Sequence, residues 1–318
     1  MSGNRPRCLG VSQGMLSSMP FTPRLFGSGL VIAALLAGNT AAGAQSASPQ
    51  ASQVTPIGSS APVTGVSHPT GATDVVLRMD TAGGFTPLTY GLTQAPEFTL
   101  YGDGTVVFRP SANPEGDGFP PFVQATMNDA QMDALLAYAL GPGGLRDARD
   151  SYQHRQITDQ PTTVFSIDAN GVDKSVAVYA LGMTQPEGED AAAYQGFQEL
   201  GVLLANFGEQ VAQGHAQDPR PYQPAEYRAF LSPPRDPSVT AVPWPWPELT
   251  IDDFQRYGDH EDVLVAGLTP AQAAQVTTTP SGGVPSIPIL TPDGTPVTLS
   301  VRPLLPDESV DPSASLAP

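Results

Sequence analysis

EFTLYGDGTVVFR, residues Glu97 to Arg109, reads as two short strands folded back on one another. Phe98 and Leu100 on the first arm, and Val106 and Phe108 on the second, alternate with their neighbours at the two-residue period of side chains on one face of a strand. Between the arms, Gly102-Asp103-Gly104 supplies the glycines that a tight hairpin uses for positive φ. The pattern recurs along the chain. Thr162 to Ile167 and Lys174 to Leu181 flank Asn170-Gly171, and IPIL and VTLSV flank Asp293-Gly294. Further strands are predicted at Val75 to Met79, ahead of the Gly83-Gly84-Phe85 turn, at Tyr227 to Leu231, and at Val263 to Leu268.

Helical signals interrupt the hairpins twice. Asn128 stands three residues before Gln131, the spacing of a capping box, and Met132, Leu135, Leu136, Ala139 and Leu140 then repeat at helical spacing up to Gly141. Residues 188 to 213 make the longer helix, with Tyr194, Phe197, Leu200, Leu204, Phe207 and Val211 along one face. Thr269 and Pro270 supply the N-cap and first position of a short third helix. Hairpins punctuated by helices, without strict βαβ alternation, predict an α+β fold. It consists of antiparallel hairpins with two main helices and a smaller C-terminal β-rich half packed on them.

Outside this region the chain changes character. Within Gly27 to Ala44, an apolar run from Leu30 to Ala37 follows Arg24 and gives way to small residues, with Ala42-Gly43-Ala44 before Gln45, the arrangement of a secretory signal peptide cleaved between Ala44 and Gln45. The run is too short for the ~20 residues of a permanent membrane helix. The expected organisation is a signal peptide at 1–44, a Ser/Pro/Thr-rich spacer without structure at 45–73, and an α+β domain at 74–214. A Pro-rich crossover and β-rich half follow at 215–308, then a tail at 309–318; the chain after Pro306 is polar and expected to be disordered. Localisation is then outside the cytoplasm, periplasmic or extracellular, with no transmembrane anchor after cleavage.

Charge narrows the partners. Loss of Arg5, Arg7 and Arg24 with the leader would take the net charge from −17 to −20. Such a surface repels phosphate backbones and anionic lipid, so no nucleic-acid partner is expected. Cys8 is the single cysteine and lies ahead of the cleavage site, which leaves a cysteine-free mature chain without disulfides, thiolate metal sites or a thiol nucleophile.

Familiar catalytic patterns are missing from the sequence. Ser67 lies in Gly-Val-Ser-His-Pro rather than a nucleophile elbow, and there is no P-loop, G-x-G-x-x-G or H-E-x-x-H. Asp259, His260, Glu261 and Asp262 form the densest set of metal-ligand types, suited to a divalent cation such as Ca²⁺ or Mn²⁺. Their contiguity instead suits a solvated loop, since neighbours on an extended chain point to opposite faces. His154 with Asp159 has the makings of an oriented base, with no nucleophile identifiable beside it. Glu187, Glu189 and Asp190 stand at the N-terminus of the longer helix, where acids favour its dipole. Trp244 and Trp246 alternate with Pro243, Pro245 and Pro247, a stiff strip that would either dock a protein or glycan or cover an open sheet.

Val75-Val76-Leu77-Arg78, the Gly83-Gly84-Phe85 turn, Tyr101-Gly102-Asp103-Gly104-Thr105-Val106, and Arg302-Pro303-Leu304-Leu305-Pro306-Asp307-Glu308 carry a resemblance. Over roughly residues 74–308 the chain resembles an uncharacterised family of bacterial secreted proteins and lipoproteins. The resemblance implies export and a single cooperative unit, and it brings no catalytic residue. Cysteines that occur in that family near Gln153 to Gln160 and near Asp259 have no counterpart here, which implies that packing alone joins the halves. The first functional expectation is an exported, non-enzymatic binding module that engages a protein or glycan of the cell envelope, with no cofactor. The alternatives are a metal-dependent hydrolase using Asp259 to Asp262 and a secreted enzyme inhibitor.

Overall fold

The computed structural model describes residues 65–110, 121–153, 157–183, 188–234, 236, 238–258, 260–277 and 284–310. Residues 1–44 with the Ala44/Gln45 junction, most of the spacer, His154, Glu187, Asp259 and the last eight residues lie outside them.

The chain is α+β, with more strand than helix, in two sheets. The first strand, β1 (Val75–Gly83), leads through a short helix α1 (Leu88–Thr93) into β2 (Phe98–Tyr101) and β3 (Thr105–Phe108). Next come β4 (Val123–Thr126), helix α2 (Asp129–Leu140), and strands β5 (Ser151–Tyr152), β6 (Pro161–Ala169) and β7 (Val172–Tyr179). Helices α3 (Ala191–Ala205) and α4 (Phe207–Ala212) and strand β8 (Gln217–Pro221) complete this part. The eight strands lie in the order β5-β7-β6-β1-β2-β3-β4-β8, antiparallel except for β5 beside β7.

The predicted turn chemistry accounts for this order. Asn170 and Gly171 both take positive φ (53° and 73°), as a two-residue turn that follows strand twist requires, and they join β6 to β7. Asn128 accepts from the Gln131 backbone while Gln131 reaches back to the Asn128 N–H, which starts α2 where the sequence places it. One face of the sheet, with Leu77, Met79, Phe98, Leu100, Val106, Phe108 and Phe165, packs on Leu135, Leu136, Phe197, Leu200, Leu204 and Phe207 of the helices. Phe207 meets Phe98 and Phe108 edge-on at 4.8 and 5.3 Å.

A smaller sheet is built by β9 (Tyr227–Ser232), β10 (Gln255–Tyr257), β11 (His260–Leu268), β12 (Val284–Leu290) and β13 (Pro296–Pro303). A short helix, α5 (Pro270–Ala273), follows β11 behind a Thr269 capping box. The order β10-β11-β9-β13-β12 is antiparallel throughout. Register lines up Leu264, Leu231 and Leu299 in one row and Ala266, Ala229 and Val301 in the next, so one face is a continuous apolar surface. Trp246 closes that face.

The β-rich half packs on the large sheet rather than on the main helices. Tyr101 and Val107, on the face turned away from α2 and α3, join Phe122, Tyr222 and Leu305 in a separate cluster. Two other boundaries also shift. The chain enters the fold at Gly65, nine residues before Asp74: Val66 is buried and its N–H donates to Asp133 at 2.7 Å, and Ser67 carbonyl accepts from Asn170 N–H. Gly102 allows this approach, because a Cβ there would stand 2.4 Å from the Pro69 carbonyl oxygen. At the other end, residues beyond Pro306 are anchored, as described next.

Candidate functional site

Between the sheets lies a layer of charge. Arg78 on β1 donates to Asp307 at 2.6 Å, and the Tyr101 hydroxyl donates to the same carboxylate oxygen at 2.6 Å. Arg302 on β13 grips both oxygens of Glu308 at 2.8 and 2.9 Å, a fork-to-fork pair to which Leu305 N–H adds a third bond at 2.9 Å. Arg228, opposite Arg302 on β9, donates to the Ser309 carbonyl. Val310 then rests on Gly267, where any Cβ would stand 2.8 Å from a Val310 methyl. Burial opposes the charge on Glu308, yet Arg302, the Leu305 N–H and Arg228 together hold its carboxyl below the usual range. Arg109 stacks on Phe122 at 4.4 Å, and burial, then the field of Arg302, lowers its guanidinium pKa to about 10. Arg78 and Arg302 end on the protein's own acids and Arg228 on a carbonyl of the same segment, so residues 304–310 form a clasp across the two sheets. The polar run after Pro306, expected to be disordered, supplies that clasp.

The open chemistry lies on the helix side, at the end of the large sheet where β1 and β7 finish and β6 begins. Gly83 pairs with Pro161, and the Ala180 N–H donates to the Pro161 carbonyl. A groove of about 380 Å³ runs there between the sheet and α3, lined by Met79, Thr81, Glu97, Thr163, Leu181 and Val202, with Gly201 opening its floor. Thr81 hydroxyl donates to Glu97 at 3.1 Å and sits 3.2 Å from the Thr163 hydroxyl. Glu97 is the ionisable group among the described residues of the lining. Burial pushes its carboxyl up, the Thr81 hydrogen bond works against that, and Asp80 and Arg109 add smaller opposite effects. The loops leaving β1 and β7 at this end carry Phe85, 94% exposed, and Met183, 57% exposed. Both side chains stand on loops at the same end of the sheet as the groove, outside its lining. Such a site can bind by shape and by one carboxyl. Glu97 is set down at the first residue of the quoted hairpin, where its only signal was an acid standing between Pro96 and an apolar strand.

The residues singled out from sequence are placed elsewhere. Trp246 is fully buried, its indole N–H donating to the Gln272 carbonyl at 2.9 Å. Trp244 is half-buried, donates to the Leu249 carbonyl at 2.8 Å, and meets Trp246 edge-on at 5.3 Å. The Trp-Pro strip therefore covers the small sheet, and the docking reading of Trp246 is corrected on that ground: an indole without exposed surface has none to offer a partner. His260, Glu261 and Asp262 are exposed at the start of β11, and the His260 ring stacks on Tyr257. Among the described residues no three His, Cys, Asp or Glu side chains come together in a metal-holding group. Asp159 takes a positive φ of 61° in the loop before β6, its carbonyl accepting from Phe85 N–H. No described helix is long and apolar enough to cross a membrane.

No protein-family model, curated protein or solved structure matches this chain.

Proposed function

We propose that the protein is an exported, non-enzymatic binding module of the cell envelope or extracellular space. The groove between the end of the large sheet and α3 is its ligand site, and the ligand is carried by an envelope protein or glycan. Export rests on the Arg24-flanked apolar run that ends at Ala44. The binding reading rests on one observation: a groove lined by apolar side chains holds Glu97, Thr81 and Thr163 together at the end of the large sheet whose outgoing loops carry exposed Phe85 and Met183. A largely apolar cleft with a few converging polar groups is the make-up of a ligand site.

The test is a fragment and glycan screen followed by amide NMR on the full-length protein. Compounds that bind are expected to shift the amides of Gly182, Gly201 and Val202, and Phe85→Ser with Met183→Ser is expected to weaken them several-fold. A screen whose hits all map away from these amides overturns the reading.

A further inference from the structure

We propose that the groove recognises a primary alkylammonium group, its head on Glu97 and its methylene stem along the aliphatic walls. The inference rests on the groove being the ligand site and adds the class of ligand. It follows from what the lining provides and what it lacks. At one end stand a carboxyl and two threonine hydroxyls, all acceptors for the three N–H donors of an ammonium. Met79, Leu181, Val202 and Ala205 give apolar surface, interrupted by the amides of Gln198 and Asn206, with Gly201 leaving width for a stem. No described lining residue carries positive charge.

The charges around Glu97 sharpen the choice. Asp80 from β1 repels it, and Arg109, just past β3, attracts it without offsetting its burial. A carboxyl in that state is matched by a cation brought from outside, which restores the charged form and satisfies it. A carboxylate ligand would meet like charge, and a neutral alcohol would leave the burial of Glu97 uncompensated. The strongly negative net charge of −17 adds long-range attraction for a cation of this kind. The same ammonium chemistry is presented by a free aliphatic amine and by the lysine side chain of a partner protein.

The experiment is an amide NMR titration of the full-length protein at neutral pH. The probes are hexylammonium, hexan-1-ol, hexanoate, 1,5-diaminopentane and Nα-acetyl-lysine methylamide. Hexylammonium is expected to shift the Gly182 and Gly201 amides at concentrations at least ~10-fold below those of the alcohol and the carboxylate. Glu97→Gln, checked for fold by circular dichroism, is expected to weaken it about 10- to 100-fold, the range for one charge-assisted hydrogen bond. Val202→Lys leaves Glu97 intact and sets a tethered ammonium on the wall; it is expected to exclude added hexylammonium. Tighter binding of the diamine than of the lysine derivative assigns the source to free amines, and the reverse order to protein side chains. Alcohol or carboxylate binding as tightly as the ammonium overturns the ligand class while leaving a groove that binds. Shifts at these amides from none of the probes, or full hexylammonium affinity in both variants, overturn the inference, while the binding reading stands or falls with the wider fragment and glycan screen.

Discussion

Glu97 and Glu308 are both glutamates taken out of water, and the surroundings drive them in opposite directions. Burial is the largest influence on each. At Glu308 a forked arginine, a backbone N–H and a second arginine overcome it, and the carboxyl titrates below its usual range. At Glu97 one threonine hydroxyl and a distant arginine do not, and the carboxyl titrates above it. Satisfied charge marks a place where the protein holds itself together. Charge left short of partners beside open space marks a place where something else is expected to bind.

The largest effect should come from breaking the satisfied side. Arg302→Met leaves Glu308 buried without its fork and is expected to cost about 3–5 kcal/mol, read from urea unfolding. Trp246→Ala is expected to cost a similar ~3–5 kcal/mol, by opening a cavity beneath the small sheet. A Trp246→Ala protein of unchanged stability would remove the assignment of that indole to the core.

Acid should separate the two glutamates next. The folded pKa of Glu308 is depressed, so its stabilisation is full at neutral pH and is lost as pH falls below the ordinary glutamate range. The folded pKa of Glu97 is raised, so the sign reverses: its charge weighs on the fold at neutral pH, and protonation relieves it as pH falls from above that range. Glu97→Gln is therefore expected to raise Tm at pH 8 by about 2–4 °C, roughly 1 kcal/mol for a domain of this size, with the gap closing in acid. A Tm that falls at pH 8 would place Glu97 with Glu308 among the satisfied charges.

Smaller still is Gly201→Ala. The added methyl would lie 3.3 Å from a Leu181 methyl, the end of a side chain able to give way, and alanine favours the helix by up to ~1 kcal/mol. Stability should change by less than about 1 kcal/mol while the groove narrows. Phe85→Ser, at a fully solvated rim, should stay within ~0.5 kcal/mol by thermal melting and act on binding alone.

How much of this was legible in the residues depended on range. Asn170-Gly171, the Asn128–Gln131 box and the apolar stripe from Tyr194 to Phe207 each specify local geometry through neighbours a few positions away; the hairpins and α2 form where those signals stand, while the single helix expected over 188–213 forms as α3 and α4, parted at Asn206. The packing of the second sheet carried no comparable local signal. Arg78 and Asp307 are 229 positions apart, and nothing in Pro-Asp-Glu-Ser distinguishes a tail from a clasp until Arg78, Arg228 and Arg302 are seen converging on it. Val66 and Ser67 were hidden in a stretch whose composition is that of a linker, because a single buried valine and one backbone bond leave no periodicity. The groove was illegible for the same reason: Thr81 and Thr163 come from β1 and β6 and Glu97 from the residue ahead of β2, which only the sheet order makes neighbours.

Asp307 and Glu308 have a further meaning in time. A chain emerges from the ribosome, or from a translocation pore, with its early residues first. Both sheets are therefore fully synthesised, with Arg78 and Arg302 awaiting their counter-ions, before Asp307 and Glu308 appear. Closure of the two sheets on one another is in this way deferred until both have been made, and a nascent chain stays pliable up to that point.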